Sequence, residues 1–254
     1  MRPFLIIKTG QPDETITRQF GSFEDWILSQ AGVSATDVRI VNVARGATLP
    51  RPARFSGAII TGSPAMVTAG EPWMRAAAAW LKQALPTGLP VLGICFGHQL
   101  LAYALGGRTG NNPRGREIGT VGIRLLPAAS RDPLFGGLPT QLTVHVTHVQ
   151  SVTMLPPGAI RLATNAHEPN HAFRFGRHAW GVQFHPEITA PVMRALIRCQ
   201  RTALRAEGLD PDALSHAVHS SSVGQTILRR FVAIARQEAV GAHPPGEPPG
   251  TVGR

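Results

Sequence analysis

Val91-Leu92-Gly93-Ile94-Cys95-Phe96-Gly97-His98-Gln99 is an apolar run that stops at a cysteine flanked by two glycines. Apolar residues then recur at helical spacing until Gly106-Gly107, so the pattern predicts a buried strand that turns sharply into a helix. Such a turn lifts one side chain clear of the sheet and directs the unpaired N–H groups of the helix at it. G-x-C-x-G is the cysteine counterpart of a serine nucleophile elbow. We therefore interpret Cys95 as a nucleophile, although most lone cysteines are buried structural thiols.

The chain before and after this elbow alternates strand and helix patterns. Strands are predicted over 4–7, 38–43 and 57–61, with helices over 23–30 and 72–85. This order predicts an α/β fold with a mostly parallel central sheet, covered on both faces, that binds ligands at the carboxyl ends of its strands.

The second half of the sequence has a different character. Residues 108–119 are rich in Gly, Asn, Pro and Arg and predict a surface loop. Short antiparallel strands added to the sheet are predicted over 120–126, 142–146, 152–155, 160–163, 171–175 and 180–184, and helices follow from Thr189 or Pro191, over 211–218 and over 223–239. We expect a catalytic domain over 1–190, a helical extension packed on it over 191–240, and a flexible Pro/Gly-rich tail over 241–254.

Composition excludes several classes of protein. The 254 residues carry a net charge of +10, with 43% hydrophobic residues, which predicts a globular body. Most of the cations are arginines that are spread along the chain with few aromatic residues among them, so we expect no nucleic-acid surface. No apolar run is long enough for a bilayer, and residues 1–8 are typical of a first strand rather than a signal peptide. Two cysteines make no disulfide framework, so we expect a cytoplasmic setting.

A cysteine nucleophile needs an acid or base nearby, and that group needs an orienting partner. His185 follows the strand pattern of residues 180–184 and precedes Pro186, which keeps the preceding residue extended. Because residues i and i+2 of an extended segment face the same way, His185 and Glu187 are expected to point toward one site. A carboxylate beside an imidazole fixes its tautomer and supports its charged form. Without Cys95, a surface ion pair would be the preferred interpretation.

Three motifs together carry a family resemblance. Gly93-Ile94-Cys95-Phe96-Gly97-His98-Gln99, Gly181-Val182-Gln183-Phe184-His185-Pro186-Glu187 and the turn Thr61-Gly62-Ser63-Pro64 resemble the class I (triad) glutamine amidotransferases, and among them the GMP-synthase-like stand-alone amidotransferase domains. The resemblance covers about residues 4–190. It implies a flavodoxin-like three-layer α/β sandwich that hydrolyses glutamine to glutamate and ammonia through a thioester, without a cofactor or metal.

The resemblance also implies roles for individual residues. Cys95 would be the nucleophile, His185 the acid and base, and Glu187 its partner. Backbone N–H groups of Ser63 and Phe96 would form the oxyanion hole. The substrate pocket would include Gly62, Gln99, Thr147, His148, Val149 and Gln150. Ser63 stands where the family has a second glycine, and Val149 and Gln150 also depart from the common pattern, which leaves the substrate open.

Several alternatives remain at this point. A γ-glutamyl peptidase or hydrolase acting on a conjugate would use the same acyl-enzyme chemistry, and a non-catalytic binding module would keep the fold alone. The sequence contains no P-loop or synthetase domain, so a separate ammonia-accepting synthetase subunit is one expectation and a hydrolase working alone is the other. The oligomeric state is left open.

Four other features are interpreted as structural. His167-Glu168-Pro169-Asn170-His171 matches the zinc motif H-E-x-x-H, but its proline argues against the required helix. His145 and His148 lie close in sequence without a third ligand. Cys199 has apolar neighbours at helical spacing and is expected to be a core thiol, and His98 is expected to shape the pocket.

Overall fold

The computed structural model describes residues 2–241. The predicted tail therefore lies outside the described residues, apart from Gly241, which ends the last helix. The strands are β1 (Phe4–Lys8), β2 (Val38–Asn42), β3 (Ala58–Ile60), β4 (Val91–Ile94), β5 (Arg108–Asn111), β6 (Glu117–Leu125), β7 (Gln141–His148), β8 (Gln150–Met154), β9 (Ile160–Thr164), β10 (Ala172–Phe175) and β11 (Ala179–Val182). The helices are α1 (Glu14–Phe20), α2 (Phe23–Ala31), α3 (Pro72–Ala84), α4 (Phe96–Ala104), α5 (Ala190–Cys199), α6 (Arg201–Ala206), α7 (Pro211–His216) and α8 (Val223–Gly241).

The main sheet has the strand order β2-β1-β3-β4-β11-β10-β9-β6-β7. Neighbouring strands from β2 to β11 are parallel, whereas those from β11 to β7 are antiparallel. This mixed sheet, with helices on both faces, confirms the predicted flavodoxin-like α/β class and its added antiparallel strands. Since β4 and β11 are parallel neighbours in register, their carboxyl ends place Cys95 and the segment after Val182 side by side.

The sheet is buried on both faces, as the continuous apolar pattern of its parallel strands requires. Phe4 and Ile6 of β1 pack on one face against α2 and α8, in a core that includes Ile27 and Phe231. The alternate residues of β1 pack on the other face against α3 and α4. Helix α8, in the predicted extension, therefore supplies part of the central core. No helix within residues 2–241 is long and apolar enough to cross a bilayer.

One prediction of local structure is wrong, and one helix was missed. The predicted surface loop over 108–119 contains β5, which pairs with β8, and its last residues begin β6. Asn112 is buried there, and its amide donates to Ser151 Oγ at 2.9 Å, because long-range pairing overrides the turn-like composition. Helix α1 was not predicted; Asp13 caps it by accepting a hydrogen bond from the Thr15 N–H.

Candidate active site

The elbow has the backbone that its glycines predict. Cys95 connects β4 to α4 with φ 49° and ψ −101°, and it is the only non-glycine residue with positive φ in the described chain. A Cβ on Gly93 would lie 2.3 Å from the Gly97 carbonyl oxygen, and one on Gly97 would lie 2.5 Å from the Ile60 carbonyl oxygen. Only glycine fits at either position, so the packing holds Cys95 in a strained conformation.

His185 is paired with Glu187 and lies near Cys95. Its Nδ1 lies 2.7 Å from Glu187 Oε1, and both side chains are buried. Burial alone would lower the pKa of His185, but the charges of Glu187 and Cys95 outweigh it and raise that pKa to about 10. The imidazole is therefore protonated at neutral pH.

The expected extended conformation at this segment is wrong, although the two side chains do meet. Strand β11 ends at Val182, and Pro186 and Glu187 form a turn in which the Ile188 N–H approaches the His185 carbonyl oxygen at 3.4 Å. The turn, rather than strand alternation, brings the Glu187 carboxylate to the ring. The His185 N–H donates to the His145 carbonyl oxygen at 2.8 Å, which anchors the segment to β7.

The turn after β3 packs directly against this histidine. A Cβ on Gly62 would lie 2.9 Å from His185 Cε1, so the glycine leaves room for the ring. Thr9 holds the turn by hydrogen-bonding the carbonyl oxygens of Thr61 and Gly62, each at 3.0 Å. The Ser63 hydroxyl donates to the Thr9 carbonyl oxygen at 2.8 Å. This hydrogen bond joins Ser63 to the end of β1.

A cavity of about 400 Å³ opens over Cys95. Most of the residues predicted for the site line it: Ser63, Cys95, Phe96, Gln99, Thr147, His148, Val149, Gln150 and His185. Gly62 and Glu187 lie behind this wall, against His185. The Cys95 Sγ lies 3.7 Å from the Thr147 carbonyl oxygen, so the β7–β8 turn borders this thiol.

The β7–β8 turn is held by a buried polar network. Gln99 Nε2 donates to the Gln150 carbonyl oxygen at 2.7 Å, and His148 Nδ1 lies 3.1 Å from the same oxygen. His148 Nε2 lies 3.0 Å from Glu117 Oε2, and His171 Nε2 lies 3.3 Å from the same carboxylate oxygen. Burial opposes the charge of Glu117, but hydrogen bonds from the two histidines keep its pKa well below its usual range.

Sequence reasoning missed the outer rim of the cavity. Asp13, Arg116, Leu196, Cys199 and Gln200 also line it, and they come from segments far from the motifs. The prediction that Cys199 is a core thiol is wrong: it is exposed, at the last residue of α5, because its face of the helix borders the cavity rather than the core. No local signal in the sequence identifies these rim residues.

The H-E-x-x-H segment and His98 are structural. The H-E-x-x-H segment forms a turn between β9 and β10, where Glu168 Oε1 accepts from the Asn170 N–H at 2.7 Å. His98 does not line the cavity as expected; it is fully buried with its ring centre 5.0 Å from that of Phe173, and burial lowers its pKa to about 3. Over residues 2–241 no group of three or more His, Cys, Asp or Glu side chains has the arrangement of a metal site.

Curated proteins with similar sequences are GMP synthases. A GMP synthase (glutamine-hydrolysing) from Thermomicrobium roseum is 39% identical over 141 residues, which cover 56% of this chain and 25% of that protein. One from Streptococcus pneumoniae is 31% identical over 174 residues, covering 67% and 29%. The chain thus spans about a quarter of the length of these curated relatives.

Solved structures share the fold. A glutamine amidotransferase from Thermotoga maritima superposes with a TM-score of 0.74 at 22% identity, covering 92% of this chain and 98% of that one. One from Methylobacillus flagellatus has a TM-score of 0.71 at 22% identity, covering 97% and 98%. The family model for glutamine amidotransferase class-I matches residues 18–198. The chain therefore belongs to the class I glutamine amidotransferase family.

Proposed function

We propose that this protein hydrolyses the γ-carboxamide of glutamine to glutamate and ammonia through a thioester on Cys95. The observation that carries the proposal is a protonated His185 that is paired with the buried Glu187 and lines the same cavity as Cys95. That arrangement matches an activated nucleophile, its acid and base, and an orienting carboxylate.

The chemistry follows from these contacts. The proton of Cys95 resides on His185 before substrate binds, so a thiolate attacks the γ-carbonyl carbon and the carbonyl oxygen becomes negatively charged. His185 then protonates the departing nitrogen, ammonia leaves, and the acyl group remains on sulfur. The same imidazole takes a proton from water as the water attacks the thioester, which releases glutamate and restores Cys95.

The oxyanion is assigned to two backbone N–H groups. Phe96 is the first residue of α4, so its N–H has no partner within the helix and the helix dipole favours negative charge there. Ser63 lies across the cavity on the turn that packs against His185. Removing one such donor typically costs about 10²- to 10³-fold in kcat.

The Cys95→Ser variant tests this mechanism. We expect glutamate release from glutamine to fall by about 10⁴-fold or more, since triad members act as a unit. A glutamine-like electrophile should label Cys95 rapidly and stoichiometrically in the wild type, whereas an inert binding module would label slowly. Full activity in the serine variant would exclude the thioester.

A γ-glutamyl conjugate is the second candidate substrate. The cavity extends past the elbow to Leu196 and Cys199 of α5, which leaves room beyond the γ-amide for a larger leaving group. Comparing kcat/KM for glutamine with that for γ-glutamyl dipeptides separates the two. A clear preference for the dipeptides would replace the glutaminase proposal while keeping the roles of Cys95 and His185.

We further propose that the ammonia is used by a separate synthetase. The curated relatives are named GMP synthases, and this chain matches only about a quarter of their length. Co-purification with a synthetase that raises glutamate release supports this arrangement. Glutamine hydrolysis at full rate by the isolated chain, unchanged by any such protein, favours a hydrolase that works alone.

A further inference from the structure

A second cavity, of about 150 Å³, lies behind the catalytic histidine. His185 lines both this cavity and the one over Cys95. The other polar residues of the wall are Gln30, His145, Thr189, Ser220 and Ser221. The wall contains no Asp or Glu, and the carboxylate of the adjacent Glu187 is paired with His185 at 2.7 Å.

Two long helices begin at this cavity. Its wall includes the N-cap of α5, Thr189, and the first two residues of that helix. The Thr189 side chain makes no capping hydrogen bond, and because Pro191 has no N–H, the Ala190 N–H is the backbone donor that α5 offers to the cavity. Helix α8 begins at Val223, and both Ser221 before it and Gly224 within its first turn line the same cavity.

The first turn of α8 packs closely against the segment around Pro186, at Gly224. A Cβ at that position would lie 2.2 Å from the Pro186 carbonyl oxygen, so the first turn of α8 contacts the segment that carries His185. The positive ends of two helix dipoles therefore meet at one small cavity. Each helix has at least ten residues, long enough for its dipole to act at its first turn.

A buried histidine supplies the second observation. His145 is 3% exposed and lines the cavity. Its Nδ1 lies 3.0 Å from Thr120 Oγ1, whereas its Nε2 is buried and has no hydrogen-bond partner in the described chain. Burial and, after it, the charges of His219 and His185 lower the pKa of His145 to about 4, so the ring is neutral and offers one N–H. A buried polar atom without a partner is expected to meet a ligand or water.

We propose that this cavity binds a small oxyanion of the size of phosphate. The N–H groups of Ala190 and Gly224, the hydroxyl groups of Thr189 and Ser220, and His145 Nε2 supply donors, and the wall itself has no carboxylate. At about 30 Å³ for each water molecule, the volume holds roughly five small groups, which matches a tetrahedral oxyanion. Such an anion would lie beside His185 and favour its protonated form.

This site goes beyond glutamine hydrolysis and is tested by binding. The full chain is titrated with inorganic phosphate and with sulfate, and the melting temperature is compared with that in sodium chloride of equal ionic strength. A ligand that binds the native state raises the melting temperature in a saturable way. We expect saturation with phosphate and sulfate and none with chloride.

Two exposed serines provide the matched variants. Ser220 lines the cavity, whereas Ser222, two residues later, does not. Ser220→Glu places a carboxylate at the mouth and should weaken phosphate binding by about tenfold or more. Ser220→Gln and Ser222→Glu, which separate bulk from charge, should change it by less than about threefold.

The imidazole signals of His145 locate the anion. Their NMR shifts should move with phosphate and saturate at the same concentration as the melting temperature. Each of three results overturns the proposal: no saturable binding, equal weakening by Ser220→Glu and Ser222→Glu, or His145 signals that do not move. Water alone in the cavity would give the first of these results.

Discussion

The contact between Gly62 and His185 yields a sharp test of how the active site is built. A Cβ on Gly62 would lie 2.9 Å from His185 Cε1, whereas ordinary van der Waals contact begins at 3.4 Å. The Gly62→Ala variant must therefore move the ring or the turn by about 0.5 Å (3.4 − 2.9). Glu187 holds the ring through a 2.7 Å hydrogen bond at Nδ1, so the shift disturbs the geometry of the pair.

We expect the cost to fall on catalysis more than on stability. Displacing a catalytic group by about 1 Å can reduce the rate by about 10²-fold, so a shift of half that size predicts a loss of roughly tenfold or more in kcat. Gly62 does not have positive φ, so alanine introduces no backbone strain there. The melting temperature should fall by only a few degrees, about the effect of 1 kcal/mol.

The assay is glutamate release from glutamine, with the melting temperature measured on the same protein. Gly122→Ala is the matched control, because a Cβ at that position meets nothing within 4 Å and its φ is not positive. It should leave kcat unchanged. A Gly62→Ala protein with wild-type kcat would refute the conclusion that His185 is positioned against this turn.

Three further predictions concern charge and exposure. Glu187→Gln should lower kcat by about 10²- to 10⁴-fold. The raised pKa of His185 stabilises the native state below pH 6.5, and this stabilisation is lost as pH rises through about 10. The free energy of unfolding of the variant should therefore fall less steeply than that of the wild type between these two pH values. Glu117 has a lowered pKa, so its stabilisation is present above its unfolded pKa of 4.5 and is lost as pH falls; Glu117→Gln should be less stable than the wild type at neutral pH, and the difference should shrink in acid denaturation experiments. Cys199 is exposed whereas Cys95 is buried, so maleimide should modify Cys199 first, and Cys199→Ala should change kcat for glutamine by less than about threefold; a larger loss would show that the rim contacts the substrate.

Much of the catalytic geometry could be predicted from local chemistry. The elbow can be predicted from the sequence because contacts within one strand–turn–helix unit require its glycines. In such a unit, residues that are close in sequence are also close in space. The parallel strands can be predicted because burial on both faces of the sheet makes their sequences continuously apolar. The pairing of His185 with Glu187 was predicted for a partly wrong reason, since a turn and not an extended strand joins them.

Other features of the fold and the site could not be predicted from the sequence. The β5–β8 ribbon depends on hydrogen bonds between residues about 40 positions apart, so its turn-like composition was misleading. Cys199 has the helical spacing of a core residue, but the face of a helix that meets the core depends on what packs against it.

The amino-acid sequence by itself therefore determined the α/β class, the sharp turn at Cys95 and the identity of its chemical partners, because short-range sterics and hydrophobic period are encoded locally. Only the tertiary structure decided which distant side chains form the rim of the cavity, why Gly62 must be small, and that two helices begin behind His185. Each of these depends on the packing of segments that are far apart in the chain, and that packing leaves no local pattern in the sequence.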